Sequence, residues 1–390
     1  MSEVRVNNLS NENNTGGPTI SGITTFSGTN YFVPPQGDTA SRPQDCPNGS
    51  LRFNTDSAHL EYYRGDTIGW VEIEAELTAP FGGGTGSNTG TGTRAILMGG
   101  LKNQQPSPVA TDEIDYYTIS TLGNTQDFGN LSTALYGGGM SGTVASRTRG
   151  FLGGASPNPG NNIIEKLEIA TTGSSVNFAD MQKKRYANAQ HSSQTRGLFM
   201  GGYVTPAYDS QIDYFTMATQ ADAIDFGDVD VNTGYNAGGG NTTRALLLGG
   251  VNMIGDVKGV TISTLGNTQD FGSLTNARHG APAGCSSSTK VLVAGGNLQP
   301  SNSKTGNIEA YTTATNGQAV SFGSLTASRS YGLGGCGDHV RATFGGGYTP
   351  TQVDIVDFVQ FSTGGDAVDF GDLQSVKRGC TPVSSAHGGL

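Results

Sequence analysis

Six copies of a tripeptide close to Asp-Phe-Gly are centred on Phe128, Phe178, Phe226, Phe271, Phe322 and Phe370. In a protein kinase this tripeptide carries a magnesium-binding carboxylate, alongside a lysine-bearing strand and a catalytic loop. Six tandem copies with neither partner exclude that chemistry. The acid is present as Asp127, Asp225, Asp270 and Asp369, and is replaced by Asn177 and Ser321. A second recurring group is a cation that opens an apolar string: Arg94, Arg149, Arg196, Arg244, Lys290 and Arg341. A half-buried guanidinium needs a carboxylate or carbonyls. Ser321 and Lys290 depart from the pattern in the same copy, so pairing between the repeated cation and the repeated Asp is expected.

The remaining candidates for chemistry are sparse. Asp228-Val-Asp-Val-Asn-Thr-Gly alternates oxygen ligands as a calcium loop does. Its Gly234 falls one place late and no Glu stands at the twelfth position, so a plain turn is expected. The five histidines (59, 191, 279, 339 and 387) occupy non-equivalent repeat positions. The four cysteines, Cys46, Cys285, Cys336 and Cys380, lack metal-type spacing and read as small buried thiols. Lys183-Lys184-Arg185 is the densest basic run and reads as a solvated strand end. The glycine-rich stretch from Phe81 has no following Gly-Lys-Ser/Thr, so it reads as a linker and not a phosphate loop. No catalytic residue, metal or cofactor is assigned.

The elements that position these groups come from the repeat itself. Thr-Ile-Ser-Thr-Leu-Gly-Asn-Thr-Gln-Asp-Phe-Gly occurs unchanged at Thr118 to Gly129 and at Thr261 to Gly272. The six phenylalanines are spaced 50, 48, 45, 51 and 48 residues apart, a period that marks a repeat architecture. Each unit has a cation-led apolar strand ending in Gly-Gly, a variable loop, an alternating strand such as Ile212-Asp-Tyr-Phe-Thr-Met, the Asp-Phe-Gly strand, and a Gly- and Ala-rich strand. Four short antiparallel strands per unit make a propeller blade. The expected fold is all-β: a six-bladed propeller over 93–390, closed by a C-terminal strand within 374–390 that completes the first blade.

Ahead of it, residues 1–20 read as a flexible or partner-ordered arm, 21–76 as a small β-meander module, and 77–92 as a Gly/Thr-rich linker. Within the module, Ser50 to Asp56, Leu60 to Gly65 and Trp70 to Glu74 alternate at period two. Three strands bury too little to stand alone, so packing on another chain or oligomerisation is expected. Phe53, Tyr62 and Trp70 are the candidate attachment residues.

Composition narrows the function classes. A formal charge of −10 with no basic cluster argues against nucleic acid. No apolar run is long enough to span a membrane, and the N-terminus lacks the apolar core of a signal peptide.

The cation-led strand and its Gly-Gly resemble kelch-type propellers over Thr93 to Leu390. Phenylalanine replaces the kelch tryptophan, so the resemblance implies fold and no particular partner. The segment Arg42-Pro…Asn48-Gly-Ser-Leu-Arg-Phe-Asn-Thr-Asp…Leu60-Glu-Tyr-Tyr…Trp70-Val-Glu-Ile is similar to a module of tailed-bacteriophage virion proteins. Gly-rich propellers carrying Asp-Phe-Gly also look like those of marine phage structural proteins. These resemblances imply a non-enzymatic virion protein, a tail fibre or similar appendage, assembled in the host cytoplasm as a homo-oligomer or in multiple copies. The N-terminal module would contact other virion proteins, and the propeller would meet a host-surface glycan or protein. Tyr203, Tyr208, Asn302 and Tyr348, in the varied loops after each Gly-Gly, are the candidate recognition residues, since loops on a rigid scaffold carry function. The alternatives are an architectural head-decoration, neck or baseplate component, and a polysaccharide-acting enzyme.

Overall fold

The computed structural model describes residues 34–72 and 93–390, apart from positions 45, 58, 103–108, 138–141 and 157–159. The arm expected over 1–20 and the linker over 77–92 lie outside the described residues. Contacts divide the chain into two units, Met1–Glu76 and Leu77–Leu390.

In the first unit the described strands form one sheet. Leu51–Asn54, His59–Tyr63 and Trp70–Glu72 are antiparallel, and Gln36–Gly37 adds a parallel edge to the first of them. Its alternation places the polar residues inside. Glu61 and Asn54 are fully buried and Arg52 nearly so, whereas Leu51 is 50% exposed and Phe53, Leu60, Tyr62 and Val71 are partly exposed. A buried carboxylate must be paired and hydrogen-bonded. Glu61 receives Arg42 through Nε at 3.1 Å and Nη2 at 2.7 Å, Arg52 at 3.4 Å, and the Asn54 amide at 3.3 Å. Trp70 covers this group, with Tyr63 at 5.4 Å and the Arg52 guanidinium at 5.7 Å, and donates its indole N–H to the Pro43 carbonyl.

The second unit is all-β and contains six four-stranded antiparallel arrangements. In pairing order the first is Thr381–Ser384, Arg94–Met98, Val109–Thr118 and Gln126–Leu135. The second is Val144–Ala145, Arg149–Ala155, Asn161–Glu168 and Val176–Arg185. The third is Ala189–Ser192, Arg196–Met200, Ala207–Thr216 and Ile224–Thr233. The fourth is Ala237–Gly240, Arg244–Leu248, Asp256–Thr261 and Gln269–Ser273. The fifth is Ala283–Ser286, Lys290–Ala294, Asn307–Thr312 and Val320–Ser324. The sixth is Gly334–Gly337, Arg341–Gly345, Ile355–Gln360 and Val368–Asp372. The C-terminal strand thus pairs Val383 with Ile96 and so belongs to the first sheet.

Each sheet is tied to the next, and the sixth is tied to the first. The carbonyl two residues past each repeated phenylalanine accepts an N–H from the following sheet. The donors are Ser175 to Asn130, Ala223 to Asp180, Thr268 to Asp228, Ala319 to Ser273, Ala367 to Ser324 and Thr125 to Asp372. The phenylalanines themselves pack between neighbouring sheets. Phe128 shares an apolar cluster with Leu152 and Leu167, for example, and Phe370 shares one with Ala95 and Leu97. A side chain on Gly129 would overlap the Gly173 carbonyl of the next sheet, so the tripeptide ends in glycine because backbones meet there.

Among the described residues the expected pairing of the repeated cation with the repeated Asp is not found. Each cation crosses to the next sheet and donates to carbonyls at the end of its third strand. Arg94 reaches Ile169 and Ala170, Arg149 reaches Met217, and Arg196 reaches Ile262 and Ser263. Arg244 reaches Thr313, Lys290 reaches Phe361, and Arg341 reaches Ile119. Lys290 thus does the same work as the arginines. The repeated Asp stays exposed on the outermost strand, where Asp127 and Asp270 accept the N–H of Gly129 and Gly272.

The ion pairs between sheets use a different cation. Arg185, Arg278, Arg329 and Lys377, each seven residues after the repeated phenylalanine, have fully buried side chains. They pair with Asp213, Glu309, Asp357 and Asp115 in the third strand of the next sheet. Arg185 is therefore buried, and only Lys183 and Lys184 of that basic run are exposed. The pattern covaries along the chain. Where the acid position holds Lys258, the cation position before it holds Thr233. The calcium-like stretch Asp228 to Thr233 is neither loop nor turn but part of the strand Ile224–Thr233.

At one end of the second unit, His387–Gly389 form a 3-10 turn over buried polar groups. His387 Nδ1 lies 2.9 Å from the Ser384 carbonyl and Nε2 lies 2.9 Å from Ser192 Oγ. His191 Nε2 lies 3.0 Å from the Asn241 carbonyl, and the two imidazoles are 5.4 Å apart, centroid to centroid. Burial, with His387 beside it, lowers His191 to about 3, and burial lowers His387 to about 4.

Three outcomes follow. Deleting 374–390 removes a strand and its hydrogen bonds from the first sheet, so folding is expected to fail; a deletion variant melting at the wild-type temperature contradicts this. Asp357→Ala leaves Arg329 buried without its charge partner and is expected to cost about 3–5 kcal/mol in urea unfolding, while Arg329→Met with Asp357→Leu costs less. A double variant as unstable as the single one contradicts that ordering. Unfolded imidazoles bind protons below about pH 6.5, whereas the buried pair refuses them until about pH 4. Stability is therefore present above pH 6.5 and lost as pH falls toward 4, by roughly 2–3 kcal/mol per imidazole at about pH 4.5. His191→Gln with His387→Gln is expected to flatten the difference in melting temperature between pH 7 and pH 4.5.

Candidate functional site

In a four-stranded antiparallel sheet, the loop leaving the second strand and the loop entering the first emerge at the same end. That end carries the varied loops. Neighbouring sheets meet there through Tyr136 with Ser156, Tyr186 with Tyr203, Gly234 with Val251, His279 with Asn297, Ser330 with Tyr348, and Arg378 with Leu101.

Inside these contacts runs a cycle of backbone hydrogen bonds. Gly137 donates to Gly379, Ala187 to Gly137, Tyr235 to Ala187, Ala281 to Tyr235, Gly332 to Ala281, and Gly379 to Gly332. Ala187, Tyr235, Ala281 and the adjacent Tyr331 hold φ between +51 and +58°, a left-handed conformation uncommon for residues with a Cβ. The cycle of carbonyls and amides over-determines it.

Tyrosines crowd this end in two groups. Tyr186 lies 5.2 Å from Tyr203, Tyr203 lies 5.2 Å from Tyr208, and Tyr208 lies 6.4 Å from Tyr235. Burial, and then neighbouring tyrosines, push the Tyr186, Tyr208 and Tyr235 hydroxyls above their usual range. In the second group Tyr331 and Tyr348 are 6.0 Å apart. The Arg378 guanidinium lies 5.7 Å from the Tyr331 ring and 5.1 Å from the Tyr348 ring, and the Lys304 ammonium lies 4.9 Å from the Tyr348 ring. Asn302 accepts the buried Asn297 amide at 3.1 Å, and the same amide reaches the Tyr331 hydroxyl at 3.3 Å.

The four candidates thus divide. Tyr203 and Tyr208 fall in the first group, Asn302 and Tyr348 in the second. Sequence reasoning missed Tyr186, Tyr235, Tyr331, Lys304 and Arg378. Four of these have a positional signal: Tyr186 and Arg378 stand eight residues after the repeated phenylalanine, and Tyr235 and Tyr331 nine. In the N-terminal unit Phe53 and Tyr62 share the partly exposed face with Leu51, Leu60 and Val71, while Trp70 lies on the opposite face with Glu61.

The chemistry available is binding by aromatic faces, hydroxyls, amides and two cations. Burial raises the thiols of Cys285, Cys336 and Cys380, so they are poor nucleophiles. Among the described residues no three His, Cys, Asp or Glu side chains are grouped to hold a metal ion, and no helix is long and apolar enough to cross a membrane. Comparison with known proteins adds no assignment: no protein-family profile matches the chain, and no curated protein matches its sequence.

Proposed function

We propose that the six sheets form a six-bladed, kelch-like propeller, and that the chain is a non-enzymatic phage virion structural protein of the tail-fibre or appendage type. In this reading the N-terminal unit attaches the protein to the particle and the loop end of the propeller recognises the host surface. The propeller reading draws on the cyclic order of intersheet hydrogen bonds, in which the sixth sheet meets the first through Thr125 and Asp372. The virion reading draws on the sequence resemblance of the N-terminal segment. A single observation carries the recognition reading: seven of the chain's 14 tyrosines, Tyr136, Tyr186, Tyr203, Tyr208, Tyr235, Tyr331 and Tyr348, gather partly exposed at one end of a hydrogen-bonded scaffold. Tyrosine gives a large, rigid, amphipathic contact at low conformational cost, which suits recognition of a surface glycan or protein.

Binding of the labelled full-length chain to a panel of bacterial cells and their purified surface polysaccharides tests this. The expected result is binding to a subset, weakened roughly tenfold or more by Tyr203→Ala with Tyr208→Ala, in line with loss of an aromatic hot spot. Binding to none would favour a head-decoration, neck or baseplate role. Release of shortened polysaccharide would instead favour an enzyme.

A further inference from the structure

Other partly exposed cations of the second unit have carboxylate partners. Lys102 pairs with Glu113, Lys166 with Glu168 and Lys258 with Asp230. The cations that open each apolar strand have carbonyls instead. Arg378 and Lys304 have neither among the described residues, although the chain carries 32 acids against 22 basic residues. What holds them is aromatic: both sit over the Tyr348 ring, and Arg378 also sits over Tyr331. Arg378 Nε is buried without a hydrogen-bond partner.

We propose that Arg378 and Lys304, held by Tyr348 and Tyr331, form a binding site for an anionic glycan bearing carboxylate or sulfate groups; this rests on the recognition reading of the same loop end. Rings over a guanidinium face leave its donors in the plane of the group, and that fork matches a carboxylate or sulfate bidentately. Stacking also strips water from the cations before any ligand arrives, which lowers the cost of binding an anion. The second element is neutral. Asn297 Oδ1 is buried without a partner, and its amide fixes the exposed Asn302 side chain beside Tyr331. Amides and phenolic hydroxyls at the rim suit the hydroxyls of a sugar ring.

The test measures binding of the full-length chain to polygalacturonate, dextran sulfate and neutral dextran by calorimetry, at low and high salt. Wild type is expected to bind at least one anionic probe, more weakly in high salt. Carboxylate and sulfate probes show which anion is preferred. Lys304→Gln with Arg378→Gln is expected to weaken that binding roughly tenfold or more, the scale of a lost charge-assisted contact. Melting temperature serves as the folding control, and Lys304→Gln alone is the fallback if the double variant melts early. Undiminished anionic binding in a variant that melts like wild type overturns the site, as does failure of wild type to bind either anionic probe. Binding to dextran or to cells that the variant retains would sink this inference while leaving the recognition reading intact.

Discussion

The second unit depends on one backbone contact made six times: the carbonyl two residues past each repeated phenylalanine accepts an N–H from the next sheet. The glycine that follows the phenylalanine in five copies lets the next backbone come to where a Cβ would stand, whereas the copy with Ala179 makes the contact without it. The duplicated dodecapeptide holds both sides of this contact. Its turn, at Gly123 and Thr125, docks on the sheet before it, and its Gly129 end receives the sheet after it. A segment that is self-complementary in this way repeats because each copy must fit its neighbours on both sides. The repeat is therefore used up by structure.

Two further layers fix the register of one sheet on the next. Apolar clusters that include the phenylalanines bridge neighbouring sheets, and their attraction is non-directional. Direction comes from the cations. The strand-opening Arg or Lys finds carbonyls at one definite strand end, and the buried Arg–carboxylate pairs tolerate little displacement before a charge is stranded. Such pairs contribute little net stability, so we regard them as specifying the fit between neighbours. The Glu165 contact uses the Ser132 and Ser175 hydroxyls in place of a cation, since Leu135 stands at the cation position of that copy.

The sequence made the period, the strand order within a unit and the phenylalanine core legible, because each recurs at a fixed offset. The partner of the strand-opening cation was not legible: carbonyls leave no residue signature, so the visible Asp drew the assignment. The buried pairs did leave one. Arg185, Arg278, Arg329 and Lys377 share an offset, and Thr233 precedes Lys258 as the matched exception. In the N-terminal unit, period-two alternation identified the strands but not which face is buried. Glu61 with Arg42 and Arg52 makes the polar face the inner one. At the loop end Tyr203 and Tyr348 were visible as loop tyrosines. Arg378 had only its offset from the repeated phenylalanine, because its two rings are brought to it by different segments of the chain.

Hydrogen bonds join the six sheets in one cycle, with the C-terminal strand in the first of them. Hydrogen–deuterium exchange resolved to peptides tests it most directly. Amides of 94–98 and of Thr381, Val383 and Ser384 are expected to exchange slowly and together, through one common opening shared with 341–345. Exchange of 381–384 at the rate of a free tail, while 94–98 and 341–345 remain protected, would contradict it.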